Sequence, residues 1–234
     1  MVVIMIRKLL QFYTCLLVSC LIIGCSFQPK TTIKLGKQAY RVPIKNLFST
    51  NLERKFQGLA TDKGSYSIHL IFEPEELKQA IPDYSILAPG SELAGYVRDI
   101  LTVLVYPQTD RDKNGEFWSE LWRGTGSYSP DRLGPRIVKY DSDVGLYRVY
   151  RKQIESFWVF TRINPEAVKD KLPDNNMVVA VCSDTVRVEP SYSCQLAYYQ
   201  DEISIDLSLS KTNFVHREKI IDFIYNKLDE WEVK

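Results

Sequence analysis

Apolar residues recur along this chain with two periods, and each period predicts a different element. Over residues 202–210 the alternation is strict, with Ile203, Ile205, Leu207 and Leu209 on one side and Ser204, Asp206 and Ser208 on the other. That pattern predicts a half-buried strand. Residues 65–72 alternate less cleanly, with Ile68, Leu70 and Phe72 on one face and His69, Ser67 and Ile71 on the opposite one. Residues 96–106 form the most apolar run of this kind and predict a central strand. Residues 143–151 and 156–163 predict two more strands, and residues 36–43 a first one closed by Pro43. After Ser210 the period lengthens: Ile220, Ile221, Ile224, Leu228 and Trp231 line one face of a helix over 214–231, with Asn213 as its cap. Glu73-Pro74-Glu75-Glu76-Leu77 opens a short helix, with proline and acids in its first turn. Strands that follow one another in sequence pair antiparallel by default. The expected fold class is therefore α+β, mainly antiparallel sheet with the C-terminal helix packed on it. Residues 107–136 stand out as a long, weakly patterned insertion.

The N-terminus carries a different pattern. Arg7 and Lys8 precede an apolar run over 9–24, broken by Gln11, Tyr13, Thr14 and Ser19. A charged start followed by a short apolar core is the pattern of a secretory signal. The run is 16 residues long, against roughly 20 for a helix that stays in the membrane. Its end, Ile22-Ile23-Gly24-Cys25, resembles the lipobox of bacterial lipoprotein precursors. That resemblance implies cleavage before Cys25 and lipid on its thiol. Residues 1–24 are then a signal peptide, 25–34 a tether, and 35–234 a single domain. Acyl chains contribute about 0.8 kcal/mol per buried methylene, and more than one chain anchors stably. Ser26 in place of Asp after the lipidated Cys implies the outer membrane, facing the periplasm.

Charge narrows the partners further. Without residues 1–24 the chain carries 28 Lys and Arg against 29 Asp and Glu, which gives no electrostatic footprint for nucleic acid or a polybasic membrane patch. Five Cys are present in the whole chain; Cys15 and Cys20 leave with the signal and Cys25 takes the lipid. Cys182 and Cys194 remain, and two thiols in an oxidising compartment most simply form a disulfide. A hairpin turning near 188–190 would set them opposite each other, contributing about 3 kcal/mol by loop closure. No Cys-x-x-Cys spacing or neighbouring His supports a redox or metal role.

Motifs for catalysis are sparse. Asp110, Asp112, Asn114 and Gly115 match the opening of a calcium loop, with oxygen ligands at alternate residues and glycine at the turn. The position that should close the loop falls on Leu121, however, with Glu120 one residue off. Gly124-Thr125-Gly126-Ser127 lacks the lysine of a phosphate loop. There is no Gly-x-Ser-x-Gly elbow, and His69 and His216 are the two candidate bases. The residues point away from an enzyme, and no cofactor is implied. Trp118, Trp122, Arg123, Tyr128, Arg132 and Arg136 form instead a cluster of the residue types that dominate protein-binding hot spots. By parity Trp118 and Trp122 also suit a core face; the glycine- and proline-rich stretch after Gly124 suits a contact loop.

Taken together, the lipobox, a strand ending in Arg41-Val42-Pro43, a late Cys182/Cys194 hairpin, the alternating strand after it and a helix ending in Trp231 resemble the layout of the periplasmic immunity lipoproteins that accompany type VI secretion phospholipase effectors. The resemblance implies a protein that binds and neutralises a toxic lipase, with the lipid anchor concentrating it at the membrane under attack. The competing expectation is an envelope assembly or sensing lipoprotein. An apolar pocket with a few convergent polar groups would favour that reading, and aromatic or arginine-bearing protrusions would favour the inhibitor.

Overall fold

The structure is a computed structural model that describes residues 28–48, 67–91, 93–107, 133–167, 177–185, 189–200 and 202–234. Its centre is an eight-stranded, wholly antiparallel sheet. Six strands form a meander: β7 (Arg136–Asp141), β8 (Leu146–Arg151), β9 (Phe157–Thr161), β10 (Val178–Thr185), β11 (Ser191–Gln200) and β12 (Ile203–Ser210). The sheet continues beyond β12 through β6 (Leu101–Pro107) to β3 (Ile68–Phe72). Two small hairpins flank it, β1 (Lys30–Leu35) with β2 (Gln38–Pro43), and β4 (Leu87–Pro89) with β5 (Tyr96–Arg98). The helices are α1 (Pro74–Ala80), a single turn α2 (Lys211–Phe214) and α3 (Arg217–Trp231).

The two periods in the sequence meet in one core. Ile68, Leu70 and Phe72 of β3, Val103 and Val105 of β6, and Ile203, Ile205, Leu207 and Leu209 of β12 are all buried. The α3 residues Ile220, Ile221, Ile224, Leu228 and Trp231 are buried with them, in one continuous cluster. Phe72 fixes the geometry at the α3 end, meeting Phe223 edge-on at 5.2 Å and stacking on Trp231 at 6.1 Å. The C-terminal end is also tied to β2, since the Val233 amide donates to the Ala39 carbonyl at 2.8 Å. The α+β expectation, with a mainly antiparallel sheet and the helix upon it, therefore holds.

Cys182 and Cys194 are direct cross-strand partners in the β10–β11 register, with Cα atoms 4.0 Å apart, and they are disulfide-bonded. Several local expectations change. Residues 30–34, read as tether, form β1, whose Thr31 and Leu35 are buried against the domain. The run over 96–106 is not one central strand: β5 leaves the sheet to pair with β4, and β6 lies one strand from the edge. The break comes at Asp99, whose amide donates to Ile86 and whose carboxylate accepts from Ser210 and Asn213. Asn213 does not cap a helix. It lies within α2, and His216 stands at the N-cap of α3 with no side-chain cap bond. Ser204, expected to face solvent, is fully buried. Its cross-strand neighbours in the register are Tyr106 and Tyr199, both far larger than the serine side chain.

Candidate protein-contact surface

Exposed apolar side chains concentrate on the β4–β5 hairpin. Leu93 at its tip is fully exposed; Tyr96 is 54 % and Leu87 47 % exposed, with Val97 and Ile100 close behind. Single exposed apolar residues are ordinary, but a cluster on one protrusion marks a contact surface. The turn is set by two glycines. Gly95 has φ +63°, a left-handed conformation that costs glycine little. Gly90 donates from its amide to the Gly95 carbonyl at 2.6 Å. A Cβ on Gly90 would lie 2.5 Å from that oxygen.

The hairpin stands on a rigid base. Asn213, fully buried, accepts from the Ser85 amide at 2.8 Å and donates to the Ser85 carbonyl at 2.9 Å and to Asp99 Oδ2 at 2.6 Å. Ser210 Oγ donates to the same carboxylate at 2.7 Å, and the Tyr84 hydroxyl donates to the Asp99 carbonyl at 3.0 Å. Burial of Tyr84, together with the nearby Asp99 charge, holds its hydroxyl well above the ordinary tyrosine range. On the outer side Arg98 donates to Glu75 Oε1 and to Glu73 Oε2, each at 2.8 Å. These bonds hold the Glu75 carboxyl below its usual range. An exposed clamp of this kind contributes little stability, but charges paired on both sides set the direction of the strand.

Beside the hairpin lies a cleft of about 720 Å³ between the β7–β8 turn, the adjoining ends of β10 and β11, and α2. Its lining includes four carboxylates, Asp141, Asp143, Asp184 and Glu189, against Arg148 and Lys211. Arg148 lies flat over the buried Trp158 ring, 3.7 Å from its centroid, and donates to the Glu155 carbonyl. Tyr192 packs edge-on against the same ring, and burial pushes its hydroxyl up to about 12, with Asp141 adding to the shift. At the junction of hairpin and cleft, the Glu189 carboxylate beside Tyr96 raises the tyrosine hydroxyl above its ordinary range. The cleft floor is braced from behind, where Arg217 donates to the Val144 carbonyl at 3.2 Å. Hairpin and cleft thus form one surface, apolar at its projecting edge and acidic in its recess.

A second concavity lies on the sheet face away from α3. This groove of about 620 Å³ is mainly apolar, lined by Phe48, Leu104, Phe157, Val181 and Ala197, with His69, Gln195 and Asp206 among its polar groups. His69 sits on the face its parity predicts, with the Asp206 carboxylate accepting from Tyr106 at 3.1 Å nearby.

Most of the expected site residues are not among those the structure describes. Cys25, the calcium-loop residues Asp110, Asp112 and Asn114, and Trp118, Trp122, Arg123, Tyr128 and Arg132 lie outside the described residues. Arg136 begins β7, directly across from the buried Arg151, at the opposite end of that strand from the cleft residue Asp141. It is therefore not part of the hairpin–cleft surface. Among the described residues no three His, Cys, Asp or Glu side chains gather as metal ligands. Sequence reasoning missed the hairpin because Tyr96 and Val97 extend an apolar run that otherwise reads as buried strand. The usable signal was Pro89-Gly90 and Gly95 bracketing Leu93, two turn glycines around an apolar residue.

Comparison with known proteins bears on the fold. No family model matches the chain, and no curated protein matches it in sequence. Among solved structures it is similar to an immunity protein of the Stenotrophomonas maltophilia type IV secretion system. The TM-score is 0.50 at 11 % identity, over 88 % of this chain and 94 % of that one. At that identity the likeness is one of architecture. The neighbour is an immunity protein and belongs to a type IV rather than a type VI system.

Proposed function

We propose that this chain is an immunity protein, which binds a toxic secreted effector and blocks it by occupying a surface the toxin needs. The observation that carries the reading is the β4–β5 hairpin, with its apolar residues exposed at the tip and its base locked by Asn213, Asp99 and Arg98. Preorganised protrusions bind with little ordering cost, and exposed aromatic and aliphatic anchors supply affinity. The fold shared with a secretion-system immunity protein supports the same reading. In its finer form, the chain is lipid-anchored at Cys25, faces the periplasm from the outer membrane, and neutralises a phospholipase delivered by a type VI system. The lipobox and the layout of the sequence support this form.

The test is to search the genes beside this chain for a secreted phospholipase and to target that protein to the periplasm, with and without the full chain. Cells should survive only with it, and the purified pair should bind with nanomolar affinity, about −12 kcal/mol. Palmitate labelling should be lost in Cys25→Ser. No protection and no binding at micromolar protein would overturn the reading. The open-face groove favours a second one, capture of a small apolar ligand of the envelope, because its size and its few polar groups are those of ligand pockets. That reading predicts saturable binding of a fluorescent fatty acid, abolished by Ala197→Trp.

A further inference from the structure

The hairpin and the cleft beside it specify a partner chemistry. We propose that the β4–β5 hairpin is a plug that seats Leu93 and Tyr96 in an apolar cleft of the effector, while the neighbouring acidic recess receives a lysine or arginine from that cleft's rim. The inference rests on the immunity reading and names the surface through which it would act.

Three observations carry it. First, apolar exposure clusters here: Leu93 at the tip has no cover at all, and Tyr96, Leu87, Val97 and Ile100 beside it are each exposed. Second, the hairpin cannot fold back to hide these groups. Its strands are paired from Leu87↔Arg98 to Pro89↔Tyr96, and Asp99 and Arg98 are each held by side chains from elsewhere in the fold. Third, the described residues around it are net acidic: the recess carries four carboxylates against two cations, and the Arg98 clamp adds two carboxylates against one cation. An anionic bilayer would be repelled by such ground. A second copy of this chain would bring acid against acid. A protein whose apolar cleft is ringed by basic residues matches on both counts, since apolar anchors give affinity and complementary charge gives rate and register.

The plug also explains why the recess is shaped as it is. Arg148 is fixed in the cleft by the Trp158 ring and the Glu155 carbonyl, and its charge is outnumbered there by the lining carboxylates. Glu189 lines the recess and is near enough to Tyr96 for its charge to act on the tyrosine hydroxyl, so the apolar tip and the acidic recess are neighbours.

The experiment uses the full chain, purified in detergent, as wild type, Leu93→Asp and Asp184→Lys, with the secreted phospholipase found by the gene search above as the probe. Leu93 is solvent-exposed, so its replacement should leave the thermal midpoint unchanged. Expected is a loss of about 30-fold or more in affinity for Leu93→Asp, about 2 kcal/mol. For Asp184→Lys the association rate should fall severalfold at low salt, with the difference shrinking as salt rises. If wild type binds and Leu93→Asp binds within twofold of it, the plug is overturned while the immunity reading stands. If wild type itself fails to bind, the immunity reading falls and the plug with it. Two further outcomes would overturn the proposal: Leu93-dependent binding to vesicles of equal parts phosphatidylethanolamine and phosphatidylglycerol without effector binding, or Leu93-dependent dimers in sedimentation.

Discussion

Asn213→Ala should cost more stability than any other single polar substitution among the described residues. Its side chain makes three hydrogen bonds, two to the backbone of Ser85 and one to the Asp99 carboxylate, and it is fully buried. Two neutral bonds contribute about 1 kcal/mol each and one to a charged group about 1.5–3 kcal/mol. Ser85 and Asp99 are themselves partly accessible, so water replaces some of what is lost. The net expectation is about 3 kcal/mol, a fall in thermal midpoint of about 6–12 °C for a domain of this size. The measurement is urea unfolding followed by circular dichroism, with an unchanged m-value showing that the native state stays compact. Asn213→Asp provides the sharper test. It keeps the acceptor for the Ser85 amide but turns an oxygen toward the Ser85 carbonyl and Asp99. It should therefore be at least as damaging near neutral pH and recover as the pH falls and a carboxyl is protonated. An Asn213→Ala protein within about 1 kcal/mol of wild type, or an Asn213→Asp protein equal to it at neutral pH, would refute the view that this network holds the hairpin.

Four other expectations follow from the same geometry. Replacing Cys182 and Cys194 together by alanine frees a link between residues 12 apart and should cost about 3 kcal/mol, seen as an equal drop in urea midpoint when wild type is reduced. Phe72→Ala should cost about 3–5 kcal/mol in the same assay, because the ring is wholly buried between Phe223 and Trp231. In Gly90→Ala the new methyl meets the Gly95 carbonyl and Val97 Cγ1, so limited proteolysis should cut within 87–98 while the rest of the domain stays intact. Burial pushes the hydroxyls of Tyr40, Tyr192 and Tyr198 up to about 12. An unfolded chain releases those protons near pH 10 and the fold keeps them to about 12, so stability falls across that window by up to about 1.4 kcal/mol per pH unit per tyrosine. Urea midpoints measured from pH 9 to 12 should show the decline, and Tyr40→Phe should make it shallower.

Much of the core was legible because its signal is local. Strict alternation in β12, parity in β3 and a 3.6-residue repeat in α3 each state which side of an element is apolar, and the structure buries those sides against one another. The Cys182–Cys194 bridge was legible for a related reason, since a hairpin register is a short-range property. What only tertiary structure decided is whatever depends on residues far apart in sequence. Asp99 diverts an apolar run out of the sheet because Asn213 and Ser210, more than a hundred residues away, hold its carboxylate. The same contact turns Asn213 from an apparent helix cap into the anchor of a hairpin. Ser204 is buried between strands that set Tyr106 and Tyr199 on either side of it, residues far from one another in sequence. A period along the chain records how one element divides between core and water. It carries no record of which distant side chain will satisfy a polar group, so the hairpin, its acidic neighbour and their joint surface emerge only when the sheet is assembled.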